Sequence, residues 1–331
     1  MRRLLFRRGS RERDHTQDSP FPTAARATRL RAAQPIAHVS VGVSASRNES
    51  ASNVPTPLDA TPLSFAHLSE LEVGPPELID LAARAGFASI GIRTNAAMPG
   101  GIEYNLRSPS ALAQTRRRMA DTGVSVLYVE MISLSRDTRI GQLEPMFETG
   151  AALGATRLAI GGNDPDFVAL AERLAELCDL ASGYGIAIDL EFMPFRPVKS
   201  LADALEVVTR AQRPNAHILV DALHFFRSGS DVAMLKSIDP ALLGTFQLCD
   251  APRQAPAPED LVTEARTRRL LPGAGGLPLW SLIDALPATI PFGVELPIAS
   301  QYPALSPDAR AALMVRSTRE FLRARPEARA V

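Results

Sequence analysis

Acidic and amide side chains stand at the ends of four apolar runs in this sequence, and their types suit divalent-metal or proton-transfer chemistry. The runs are Asp189-Leu190-Glu191-Phe192-Met193, Leu219-Val220-Asp221-Ala222-Leu223-His224, Phe246-Gln247-Leu248-Cys249-Asp250 and Gly293-Val294-Glu295-Leu296-Pro297. An ionised carboxylate inside an apolar segment is costly unless it is paired or bound to a cation. Three of them brought together repel one another, and a divalent cation relieves that repulsion. Glu191, Asp221 and Glu295, with the side-chain carbonyl of Gln247, make an oxygen-rich set that favours one Mn²⁺ or Mg²⁺ over Co²⁺ or Zn²⁺. Each acid alone could instead cap a following helix or pair with an arginine such as Arg227 or Arg269. Recurrence at corresponding places along the chain singles them out as a set.

The elements that must position them follow one rhythm from Pro62 onward. Short apolar runs at 63–68, 89–94, 124–132, 157–162, 187–193, 217–225, 245–251 and 292–298 read as strands. Amphipathic segments between them read as helices, with Pro75 opening one and Gly86, Gly123 and Gly154 closing three. The strands are apolar on both faces, as parallel strands covered by helices are. Residues 62–326 suffice for one (β/α)8 barrel, typically about 250 residues. A doubly wound sheet would carry a Gly-rich phosphate turn after its first strand, and LSFAHLSELEVG has none. The fold class is therefore α/β, a single (β/α)8 TIM barrel, and its catalytic face is the C-terminal end of the strands, where the acids stand.

Charge separates the chain into two parts. Lys+Arg and Asp+Glu are equal at 36 each, but residues 1–31 hold nine arginines against Glu12, Asp14 and Asp18. That start carries +6 and the other 300 residues carry −6. Residues 1–61 lack periodicity and are rich in Arg, Ser, Ala, Thr and Pro, so a disordered basic tail is expected there. The acidic remainder disfavours a phosphate-backbone groove, so no nucleic-acid partner is expected. No apolar stretch approaches the roughly 18–20 residues of a membrane span, and no membrane partner is expected. Cys178 and Cys249 stand far apart without a CxxC, which points to a reducing, cytoplasmic setting. Cys249 shows no basic neighbour in sequence and reads as an inert thiol. GAGG at 273–276 lies between Pro272 and Pro278 and reads as an ordinary loop, not a phosphate cradle.

The stretches LEFMPF, LVDALHFFRSG, FQLCDAP, EARTRRLLPGAGGLPL and GVELP resemble the xylose isomerase-like TIM-barrel superfamily, the sugar phosphate isomerases/epimerases. Its relatives include ketose 3-epimerases, inosose dehydratases and 3-dehydroshikimate dehydratases. The resemblance implies one divalent metal held by Glu191, Asp221, Gln247 and Glu295. It also implies substrate contacts from His224, in D-x-x-H with Asp221, and from Arg269. The epimerases carry His where Gln247 stands, and QLCDAP is closer to the dehydratase relatives.

The implied chemistry is proton abstraction beside a carbonyl of a keto-sugar or keto-polyol, with Glu191 and Glu295 as the acid/base pair and His224 assisting. Return of the proton gives an isomerase or epimerase. Loss of a β-hydroxyl gives a dehydratase of a cyclic keto-polyol such as inosose or 3-dehydroshikimate. Outside that class stand a non-catalytic barrel and an endonuclease IV-like repair enzyme, the latter disfavoured by only five histidines. The partner expected is thus a small carbohydrate, with a homodimer possible. His67, Arg93 and Glu130 are expected at the same mouth in supporting roles, and Arg266 and Arg268 at the surface.

Overall fold

A computed structural model describes residues 58–96 and 100–325, and the tail expected at 1–61 lies outside them as far as residue 57. Eight parallel strands close into a barrel in sequence order: β1 (Leu63–Phe65), β2 (Ser89–Arg93), β3 (Ser125–Leu134), β4 (Arg157–Gly162), β5 (Ala187–Glu191), β6 (Ala216–Asp221), β7 (Leu243–Leu248) and β8 (Phe292–Val294). β8 pairs with β1, so no edge is left open. The expected (β/α)8 architecture is the one observed.

Around the barrel run α1 (Pro75–Ala85), α2 (Pro109–Thr122), α3 (Glu144–Ala152), α4 (Phe167–Ser182), α5 (Leu201–Ala211), α6 (Ala222–Arg227), α7 (Val232–Ser237), α8 (Leu261–Thr267), α9 (Leu279–Ile283) and α10 (Pro307–Arg323). Local chemistry sets their ends. Asp166 accepts from Val168 N–H and Ala169 N–H to start α4, and Ser200 with Asp203 forms a reciprocal cap at α5. Gly86 ends α1 with φ of 93°, a conformation that a Cβ would strain. No helix among the described residues is long and apolar enough to cross a membrane.

Two sequence expectations shift at their edges. The run 217–225 is not one strand, because the chain turns into α6 at Asp221. The Asp221 carboxylate accepts from His224 N–H at 3.0 Å and caps that helix. His224 therefore projects from a helix, not from a strand end. Leu58–Ala60 forms a 3₁₀ turn, and Arg319 of α10 donates to the carbonyls of Asp59 and Thr61. The excursion between β7 and β8 holds two short helices, and an isolated bridge between Asp250 and Leu270 ties the segment after α8 back to the barrel.

Outward strand residues such as Ile188, Leu190, Ile218 and Val220 join the layer shared with the helices. The barrel interior is a separate, small cluster of Ala66, Tyr128, Ala159 and Leu219. Period-two alternation then fixes which side chains point inward: Asp189 and Glu191 on β5, Leu219 and Asp221 on β6, Thr245 and Gln247 on β7. Asp189 sits lower in the barrel, where Arg157 and Thr245 donate to it at 2.7 and 2.6 Å. It is neutralised there, and Glu191 one layer above it is not. Gly91 leaves room for Tyr128 and Glu130, since a Cβ at that position would collide with both side chains.

Candidate active site

The strand-end acids and Gln247 converge on one cavity of about 790 Å³, counted with its opening to solvent. Glu191, Gln247, His224, Arg269, Glu295, Arg93 and Glu130 all line it. Strand pairing brings Asp221 level with Gln247, and Gln247 level with Gly293, two residues before Glu295. Asp221 lies just behind this lining and is fully buried.

Arg269 is the pivot of the arrangement. Only 1% exposed, it donates from Nη1 to Asp221 Oδ2 at 2.6 Å and from Nη2 to Glu295 Oε1 at 2.9 Å. Its Nε donates to the Ala265 carbonyl at 2.8 Å, and Nη1 also reaches Cys249 Sγ at 3.3 Å. Four of the five guanidinium N–H bonds are thus committed inside the protein. One remains for a substrate, so the orienting role expected of Arg269 narrows to a single donor. The alternative considered for the acids is realised in part: Asp221 both caps a helix and pairs with Arg269. Arg227 pairs elsewhere, with Glu264 at 2.7 and 2.8 Å.

Electrostatics separate the acids. Burial pushes Glu295 up to about 7, with Arg269 opposing and Asp221 and Glu130 adding to the rise. Burial also raises Glu191 well above the usual carboxylate range, and repulsion from Glu295 and Asp221 reinforces it. Asp221 goes the other way: burial opposes its ionisation, but Arg269 and His224 hold it below its ordinary value. Two carboxyl groups with raised pKa values beside one that stays ionised is a pattern suited to proton transfer near neutral pH. Burial lowers His224 to about 4, so its ring is neutral at pH 7. Its Nε2 stands 3.6 Å from Glu191 Oε1, and the edge of the ring meets Phe195.

The donors are those of a hard divalent ion. Gln247 Oε1 is buried without a hydrogen-bond partner, while its Nε2 donates to Glu295 Oε2 at 2.8 Å. Glu191 faces the cavity with the His224 ring beside it. Among the described residues, however, no three His, Cys, Asp or Glu side chains stand as one ion-holding group. The Arg269 guanidinium holds one oxygen each of Asp221 and Glu295. The donor set fits a divalent ion in chemistry.

The supporting residues hold one another. His67 Nδ1 accepts from Arg93 N–H at 2.9 Å, so Nε2 carries the proton and donates to the Val73 carbonyl at 2.9 Å. Glu130 accepts from His67 N–H at 2.8 Å and from Arg93 Nη2 at 3.0 Å. Cys249 has a basic neighbour that its sequence context did not reveal, but burial dominates and pushes its thiol up to about 12. It is inert at neutral pH.

The GAGG loop serves Asp250. Gly273 N–H and Gly275 N–H donate to Asp250 Oδ2, both at 3.0 Å, and Leu277 and Ala251 N–H donate to Oδ1 at 3.1 and 2.8 Å. Ala274 N–H and Gly276 N–H donate to the Leu271 and Ala251 carbonyls, so all four loop amides are spent inside the protein and the segment is no phosphate cradle. Since the Asp250–Leu270 bridge adjoins Arg269, Asp250→Ala is expected to loosen the Arg269 segment. Urea unfolding should show a loss of about 3 kcal/mol, the scale of several charge-assisted bonds with incomplete additivity.

Two arginines escaped the sequence reading. Arg266 was expected at the surface, but it is half-buried and lines the cavity, whereas Arg268 is exposed. Arg196, on the loop after β5, also lines the cavity and donates from Nη1 to Ser133 Oγ at 2.9 Å. The available signal was its place five residues after Glu191, in a loop on the catalytic face.

A protein-family model described as xylose isomerase-like TIM barrel matches residues 79–324. An inosose isomerase of Bacillus subtilis is 31% identical over 115 residues, 34% of this chain and 40% of that protein. The chain therefore matches less than half the length of that relative. A solved structure of the IolI protein with a bound zinc atom superposes with a TM-score of 0.68 at 23% identity, covering 79% of this chain and 98% of that one. The probable 3-DHS dehydratase AsbF of Bacillus anthracis gives 0.63 at 16% identity, covering 80% and 100%. At these identities the structural likenesses establish the fold.

Proposed function

The chain belongs to the xylose isomerase-like TIM-barrel family, and on that premise we propose that it is a divalent-metal-dependent isomerase or epimerase of a keto-sugar or keto-polyol. The observation that carries this reading is the pair Glu191 and Glu295: two buried carboxyl groups with raised pKa values facing one cavity. The inosose isomerase likeness supports a cyclic keto-polyol among the candidate substrates.

Glu191, Asp221, Gln247 and Glu295 would hold one ion, Mn²⁺ or Mg²⁺ by donor type, and when bound it would supply polarisation of a substrate carbonyl. Glu191 takes the proton from the carbon beside that carbonyl. Neutral His224, next to Glu191, hydrogen-bonds a substrate hydroxyl. Glu295, protonated in part near neutral pH, returns a proton to the opposite face or to the neighbouring carbon. Arg269 keeps Asp221 ionised and supplies one N–H to a substrate oxygen. The apolar lining of Leu68, Leu71, Met131, Met193 and Phe195 limits water around the exchanging proton.

The second reading is a dehydratase, favoured by Gln247 at the place where epimerases carry His. The same first proton transfer is then followed by departure of the β-hydroxyl as water. One experiment separates them: incubate Mn²⁺-loaded protein in deuterated water with inososes, ketohexoses and 3-dehydroshikimate. Deuterium uptake without loss of water identifies the isomerase or epimerase, and a new enone absorbance identifies the dehydratase. Absence of both across the panel overturns the function proposed.

A further inference from the structure

The cavity has two unlike walls. Its floor is acidic, with Glu130, Glu191 and Glu295. One side carries Arg196, from the loop after β5, and Arg266, from α8. Arg196 is built in place. Its backbone N–H donates to the Met193 carbonyl at 2.9 Å, and Met193 N–H donates to the Val198 carbonyl at 3.0 Å, closing a tight loop. The guanidinium lies over Gly161 of β4, where a Cβ would come within 3.3 Å of Nε. Ser133 anchors Nη1.

Arg196 Nε is buried without a hydrogen-bond partner, and none of the ion pairs among the described residues involves Arg196. Burial, with the like charge of Arg266, makes the cationic form of Arg196 less favourable, and Glu191 offsets only part of that. Two guanidinium groups line the same substrate-sized cavity, and that of Arg196 enters no ion pair among the described residues, an arrangement suited to receiving an oxyanion.

We propose that Arg196, with Arg266, is the specificity wall of the cavity and selects a substrate bearing a carboxylate or phosphate group over neutral sugars. The proposal rests on the reading of this cavity as a sugar-modifying site and narrows its substrate class. A substrate anchored there by its anionic group turns its polyol carbons towards Glu191 and His224 on the acidic floor. Neutral inososes and ketohexoses offer the Arg196 guanidinium no anion and forgo the charge-assisted hydrogen bonds that an oxyanion would make there.

The test uses three non-reacting probes on the full-length protein by calorimetry at one ionic strength: shikimate, myo-inositol 1-phosphate and myo-inositol. Wild type is expected to bind one of the anionic probes at least about tenfold tighter than myo-inositol. Whichever probe shows the preference identifies carboxylate or phosphate as the group recognised. Arg196→Thr should lose about tenfold or more on that probe and leave myo-inositol unchanged, with Arg196→Lys recovering part of the loss. Circular dichroism checks that both variants fold. Equal binding of all three probes, or an anionic preference that survives Arg196→Thr, overturns the inference. Deuterium exchange on a neutral inosose without anionic preference removes this inference and leaves the proposed function standing. Anionic preference without exchange on any keto-polyol does the reverse.

Discussion

Arg269→Met is expected to destabilise the metal-free protein by about 3–5 kcal/mol, seen as a fall in Tm on the order of 10 °C. Methionine keeps an unbranched stem of similar bulk, so the packing against Ala265 and Cys249 changes little. What disappears is the one cation shared by Asp221 Oδ2 and Glu295 Oε1, both buried. Two carboxylates then face each other and Glu191 with no neutralising partner. Arg269→Lys should recover only part of the loss, because one ammonium cannot bridge two oxygens in the geometry of a planar fork. Mn²⁺ provides the cross-check. If Glu191, Asp221, Gln247 and Glu295 take one ion, the methionine variant should gain more stability from Mn²⁺ than wild type, since no neighbouring cation then repels the ion. A Tm within a degree or two of wild type, unresponsive to Mn²⁺, would show that these carboxyl groups carry no charge in the folded state.

The architecture was readable because barrel strands announce themselves twice, by apolar runs buried on both faces and by acids at corresponding ends. Glu191, Asp221, Gln247 and Glu295 are visible in the same way, each being a polar residue on an inward register of a strand or just past its end. Arg269 was singled out only through the family resemblance, and its lodging between two of those acids was not legible. Its partners lie 48 and 26 residues away in sequence, and no periodicity says which way an arginine stem will turn. His224 was assigned to a strand because HILVDALHF is a mostly apolar run. The competing signal was Asp221 itself, whose carboxylate satisfies the amide of His224 and starts a helix. Arg196 had no pattern around it, since one arginine between Phe195 and Pro197 resembles any loop cation until Ser133 and Gly161 are seen beneath it.

Glu191→Gln should reduce turnover by about 10²–10⁴-fold on the substrate found by deuterium exchange, the usual worth of a positioned general base. The amide keeps the shape of the carboxyl group but cannot accept the proton. The same substitution should stabilise the metal-free protein, which separates a catalytic loss from a folding one. Burial and the charges of Glu295 and Asp221 raise the pKa of Glu191 above its unfolded value. The folded state therefore holds this proton more tightly than the unfolded state, and stability falls as pH rises from the unfolded pKa towards the folded one. Removing the group removes that fall, so the Tm advantage of the variant in EDTA should be absent near pH 4 and grow towards neutrality. With Mn²⁺ the order reverses, because wild type keeps a charged ligand that the variant lacks and gains more from the ion. A variant with full turnover would dismiss Glu191 as the base. A variant that is inactive and also less stable than wild type in EDTA at every pH would instead make Glu191 a structural residue.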